Sequence, residues 1–193
     1  MEWIVIALIV TIVAASLVAS AAIMRRGVSV DIKGLMLHLT DAAKSKSTEI
    51  PSWKQLAYIK DRTKLLRQEL PRLRILWVDS KPLENINERS ALASLGIFCD
   101  CYTDVAHCLT ALQQADYDAI ISDERLAEDA EDSFTIILWV RENKPFTPVI
   151  FYGQSMDEEF KRIATRAGAS LITSDPSEFI VGLLRLCAFA YPW

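Results

Sequence analysis

Two aspartates stand where this chain could most readily place chemistry. Asp79 follows the apolar run Ile75-Leu-Trp-Val78, and Asp123 follows Tyr117-Asp-Ala-Ile-Ile-Ser122. Such short runs read as buried strands, and ligands on parallel sheets bind at the carboxyl ends of strands. Asp79 and Asp123 both fall at such ends. The acidic run Asp123, Glu124, Glu128, Asp129, Glu131, Asp132 reads as a solvated loop. Its alternatives are loose binding of a divalent cation or docking on the basic stretch near residues 54–67. Cys99, Cys101, His107 and Cys108 carry atoms that suit zinc, but their spacing fits no standard finger, and strand or helix cysteines are commonly small core residues. No nucleophile elbow, P-loop, GxGxxG or HExxH occurs, so the expectation is a protein that is not an enzyme and needs no cofactor.

Around the aspartates the pattern is regular. Strands are expected over residues 74–78, 97–102, 117–122, 148–152 and 169–173. Helices are expected over 84–95, 104–114, 133–142, 156–167 and 176–188. Five strands alternating with five helices predict an α/β fold with a parallel, doubly wound sheet.

At these residues the chain resembles a response-regulator receiver domain of the two-component, flavodoxin-like kind. The matching pieces are Ile75-Leu-Trp-Val-Asp79-Ser-Lys-Pro82, Tyr117-Asp-Ala-Ile-Ile-Ser-Asp123, Thr147-Pro-Val-Ile-Phe151 and Gly168-Ala-Ser-Leu-Ile-Thr-Ser-Asp-Pro176. The resemblance covers roughly residues 74–188 and implies Asp123 as the phosphoacceptor candidate. In receivers two adjacent acids after the first strand and the third-strand Asp form a magnesium pocket, so the resemblance implies Asp79 and Asp123 as the candidate metal residues and Mg2+ as the candidate ion, a hard cation that takes carboxylate oxygens. A Thr or Ser after the fourth strand and a Lys after the fifth bind the phosphate. This chain departs at three positions: Ser80 replaces the second acid, Gly153 falls at the hydroxyl position, and Asp175 stands at the lysine position. An anion in place of a phosphate-binding cation inverts the local field, so the resemblance implies a degenerate receiver.

The first 73 residues are of another kind. Residues 3–24 form a 22-residue stretch without a charge, followed at once by Arg25-Arg26. As a helix it would span about 33 Å, enough for a bilayer core. It is read as a transmembrane anchor rather than a cleaved signal peptide, because the basic residues lie beyond it. The positive-inside rule puts the N-terminus outside the inner (cytoplasmic) membrane and the body in the cytoplasm. Ala7, Thr11, Ala15 and Ala19 form a small-residue row suited to self-association. Residues 27–50 are expected to form a membrane-proximal β-hairpin turning at Lys33-Gly34, with a linker from Ala42 to Glu49; a short helix around Leu35–Ala43 is the alternative. Residues 51–71 are expected to form an amphipathic basic helix with the apolar stripe Trp53, Leu56, Ile59, Leu66 and Leu70. It is read as a spacer packed on the next domain, or as a basic face on anionic headgroups. The receiver-like domain then fills 74–193.

Composition agrees with this division. Of 193 residues, 51% are apolar and only 13 are Gly or Pro, which excludes a disordered or collagen-like chain. Residues 1–74 carry 12 basic and 6 acidic side chains, and residues 75–193 carry 9 and 19. A basic half beside an apolar stretch points to a membrane surface, and no motif supports nucleic-acid binding. The expected function is a membrane-anchored pseudo-receiver for signalling or interaction, self-associating as a homo-oligomer and responding to a protein partner or a small-molecule signal. Two alternatives stand beside it: an oligomeric membrane effector or pore controlled by the receiver-like domain, and a phosphoacceptor response regulator using Asp123.

Overall fold

The computed structural model describes residues 31–124, 126, 131–154 and 156–190, with the backbone alone at 131–133 and 188–190. In chain order, α1 (Ile32–Ser45) and α2 (Trp53–Leu65) come first. The alternating pattern then runs β1 (Ile75–Val78), α3 (Ile86–Ser94), β2 (Cys99–Tyr102), α4 (Val105–Gln114), β3 (Ala119–Ser122), α5 (Glu131–Asn143), β4 (Val149–Tyr152), α6 (Glu158–Arg166), β5 (Leu171–Thr173) and α7 (Pro176–Ala190). The five strands are parallel in the order β2-β1-β3-β4-β5, the doubly wound arrangement expected.

Successive strand residues point to opposite faces, and both faces are covered, so the central strands are apolar but for the buried Ser122 that ends β3. Ile75, Trp77, Ile121, Ile150 and Tyr152 pack into one core with α3 and α7, through Leu92, Phe179, Leu183 and others. Leu76, Val78, Ile120, Val149 and Phe151 pack into the second with α4 and α5, through Leu112, Ile136 and Val140. The helix starts follow side-chain capping: Asp104 caps α4 by accepting from His107 N at 2.9 Å, and Asp157 caps α6 by accepting from Phe160 N at 2.7 Å.

The expected hairpin is corrected: residues 32–45 are a helix. Asp31 caps it by accepting from Gly34 N at 3.0 Å, and its own amide donates to Ser94 O at 3.0 Å. The alternation misled because Leu37, which completes the period of two, is 59% exposed. The buried set is Leu35, Leu39, Ala42 and Ala43, at helical spacing, facing α3. Gly34 is therefore not a turn residue. A Cβ there would meet Asp31 Cγ at 3.0 Å and Ser94 Oγ at 3.2 Å, so its smallness lets α1 lie close on α3. The expected linker is corrected likewise, since α1 continues through Ser45 and Lys46 folds inward.

Ser52 and Gln55 form a capping box at the start of α2, which packs against α7. Its Tyr58 ring carries the guanidinium groups of Arg62 and Arg185 at 5.5 and 5.8 Å. Ile59, Leu66 and Leu70 are buried as expected, whereas Trp53 is 80% exposed and leaves the apolar stripe. Leu35, Leu39 and Ile59 share one core cluster with Trp77 and Phe179, so residues 31–73 are part of the same folded body as the sheet. No helix among the described residues is long and apolar enough to cross a membrane; the expected span at 3–24 and its small-residue row lie outside the described residues.

Candidate functional site

Strand register brings the two aspartates together. Val78 pairs with Ser122, so Asp79 and Asp123 leave adjacent strand ends side by side. Asp79 N donates to Tyr102 O at 2.9 Å and Asp123 N to Val78 O at 3.0 Å, which fixes both Cα positions. Ser122 pairs with Phe151 and Tyr152 with Thr173, which carries Gly153 and Asp175 to the same edge.

Asp79 is buried, with 2% exposure, and its carboxylate is held by protein donors. Lys81 N donates to Oδ1 at 2.8 Å, Asn85 Nδ2 donates to Oδ2 at 2.8 Å, and Arg89 Nη1 lies 3.9 Å from Oδ2. Arg89 also donates to the Pro82 carbonyl and covers the Trp77 ring at 5.9 Å. The remaining side of Asn85 receives a cation from the N-terminal segment: Lys46 Nζ donates to Asn85 Oδ1 at 2.8 Å. Lys46 Nζ is also 3.6 Å from Glu88 Oε1 and 5.0 Å from the centre of the Tyr152 ring. The Lys46 and Glu88 side chains are 2% and 0% exposed, and the Tyr152 hydroxyl donates to Glu88 Oε1 at 2.7 Å. Burial first, and the Glu88 carboxylate second, push the Tyr152 phenol well above its ordinary range, which keeps it a donor.

The other candidate positions are engaged differently. Asp123 Oδ1 accepts from Glu124 N at 2.7 Å. Glu124, 7% exposed, folds its side chain over Gly153, where a Cβ would meet Glu124 Oε2 at 2.8 Å and Glu124 Cγ at 2.9 Å. A carboxylate thus fills the space that a side chain at position 153 would take. Asp175 caps α7: its Oδ1 accepts from Glu178 N at 2.7 Å, while Thr173 Oγ1 bridges Asp175 N and Glu178 Oε2 at 3.0 and 2.5 Å. Ser80 is half-buried beside Asp79.

All five expected site positions therefore meet at one edge. Lys46, Asn85, Glu88, Arg89 and Tyr152 were not anticipated, and Glu124 was read only as part of the acidic run. Glu88 carried a signal: Ala91, Leu92 and Leu95 follow it at helical spacing, and all are buried. Cys99, Cys101 and Cys108 lie elsewhere, on β2 and α4. Burial pushes the thiols of Cys99 and Cys108 up to about 12, so both stay protonated, and His107 Nδ1 is taken by Asp104 Oδ2 at 2.7 Å. Among the described residues no group of three or more His, Cys, Asp or Glu could hold a metal ion. Of the acidic run, residues 128 and 129 lie outside the described residues.

No protein-family model matches the sequence, and no curated protein matches it. Solved structures do match. The signal receiver domain of an HD domain-containing protein from Pseudomonas fluorescens Pf-5 aligns with a TM-score of 0.55 at 21% identity, over 61% of this chain and 88% of that one. A Francisella response-regulator receiver domain aligns at 0.55 and 19%, over 62% and 99%. The chemotaxis protein CheY4 of Vibrio cholerae aligns at 0.52 and 23%, over 59% and 98%. At these identities the likeness is one of fold: the sheet and its flanking helices are receiver-like.

Proposed function

We propose that this chain is a membrane-anchored signalling or interaction protein whose receiver-like domain lacks phosphoryl chemistry and serves as a coupling module. The observation that supports this most strongly is the condition of Asp79. Its oxygens already accept from Lys81 N and Asn85 Nδ2, the Arg89 cation lies 3.9 Å from Oδ2 where it repels Mg2+, and only Ser80 stands next in the chain where a second acid is wanted. The donor set does not fit the ion. Glu124 adds an anion beside the acceptor position, and Asp175 supplies no cation. The buried cation at this edge comes instead from Lys46, so the seating of α1 and the charge balance of the site are linked, and a perturbation at either is felt at the other. In this reading a protein partner or small-molecule signal acts on the receiver-like body. The response passes through α1 to an anchor at residues 3–24, with the body cytoplasmic. The row Ala7, Thr11, Ala15 and Ala19 supports self-association of that anchor.

The test is phosphodonor labelling of the full chain in mild detergent. With acetyl phosphate and Mg2+, the protein should acquire no hydroxylamine-sensitive label. A stoichiometric label that disappears in Asp123→Asn would replace this reading with a phosphoacceptor regulator.

A further inference from the structure

Helix α2 offers one face to the core and another to its surroundings. Ile59 and Thr63 are buried, at 0% and 2% exposure. About 100° round the helix from them, Trp53, Lys60 and Lys64 stand at spacings of seven and four residues, which at 3.6 residues per turn places them within about 40° of one another. All three are exposed, Trp53 to 80%. Asp61 is the acid nearest the stripe, Lys54 is exposed farther round α2, and Arg67 is exposed just past its end. A large aromatic ring left in water at one end of a lysine row has no role in packing this body. It does fit a bilayer interface, where indole sits at headgroup depth and lysine meets anionic lipid.

The place of the helix in the chain favours the same occupant. Only six residues, 25–30, separate the end of the uncharged run from Asp31, which caps α1. Fully extended they reach about 20 Å, so an anchored chain holds this body against the bilayer surface. We infer that the outer face of α2, through Trp53, Lys60 and Lys64, docks on anionic lipid headgroups and sets the orientation of the receiver-like body on the membrane. This rests on the membrane anchor proposed above.

The full chain, labelled with 5-fluorotryptophan, is placed in nanodiscs of phosphatidylcholine alone or with phosphatidylglycerol, each doped with a gadolinium-chelating lipid. The Trp53 resonance is the one lost in Trp53→Phe, and Trp77, buried in the core, is the internal reference. The Trp53 line should broaden in the phosphatidylglycerol discs. Lys60→Gln and Lys64→Gln should each lower the ratio of docked to undocked protein about fivefold at low salt. A Trp53 line that is the same in both discs, in a chain that co-purifies with them, overturns the docking face while leaving the anchor standing. A chain that elutes apart from both discs sinks the anchor. The face is then scored by flotation with phosphatidylglycerol vesicles, where lysine-dependent flotation supports it and its absence overturns it. Lysine-dependent binding of RNA, or lysine-dependent self-association in lipid-free detergent, with Trp53 indifferent to phosphatidylglycerol, gives the face to another partner and overturns the assignment.

Discussion

At the scale of single residues, the site edge is governed by charges taken out of water. Lys46 and Glu88 are both sealed from solvent and face each other as an ion pair at 3.6 Å. Removing one member of such a pair strands the other, which typically costs about 3–5 kcal/mol. Lys46→Met should therefore lower unfolding stability by about that amount, and adding Glu88→Gln should return part of it; urea unfolding of the three proteins measures the coupling. Simple additivity would show that the two side chains do not interact. Gly153 makes a second coupled pair. Gly153→Ser puts a Cβ within 2.9 Å of the Glu124 side chain and should cost about 1–3 kcal/mol. In a Glu124→Ala background the same change should be nearly neutral, because the space is then free. An equal cost in both backgrounds would mean that Glu124 does not occupy it.

At the scale of elements, α1 joins the fold through a close helix approach rather than through strand pairing. Gly34 lies against Asp31 and Ser94, and its neighbours Leu35 and Leu39 are buried. Gly34→Val should lift the first turns of α1 from α3 while the sheet survives. Amide hydrogen exchange should then speed up over residues 32–45 and hold steady over β1, β3 and β4. Unchanged protection of residues 32–45 would mean the valine is accommodated. Lys46 closes the same helix, so loosening α1 should also loosen the Asn85 contact with Asp79.

At the scale of the molecule, the boundary of the folded body matters most. A cut at residue 74 falls between the sheet and two helices that complete its core. A fragment of residues 74–193 exposes the surfaces that Leu35, Leu39, Ile59 and Leu66 cover. Each such side chain is worth about 1.5–3 kcal/mol of burial, and whole domains hold only about 5–15 kcal/mol. That fragment should lose cooperative unfolding and near-ultraviolet dichroism, whereas residues 31–193 should keep both. A well-folded 74–193 fragment would show that α1 and α2 are dispensable additions.

The alternation of strand and helix from residue 74 onward was legible in the sequence by itself, because strands covered on both faces must be apolar at every position and their helices must carry one apolar side. The meeting of Asp79, Asp123, Gly153 and Asp175 followed, since strand ends in a parallel sheet share one edge. Local patterns said nothing reliable about which element covers which face. Leu35, Leu37 and Leu39 satisfy a period of two as well as Leu35, Leu39, Ala42 and Ala43 satisfy a helix, and only the presence of α3 as a surface to cover chooses between them. The contacts that define the site are equally nonlocal: Lys46 reaches Asn85 across 39 positions and Tyr152 reaches Glu88 across 64. A buried lysine reads as a linker residue until its partner is in place, because desolvating a charge is tolerable only where an opposite charge and hydrogen-bond partners already wait. That condition is set by tertiary packing and is written in no single segment of the chain.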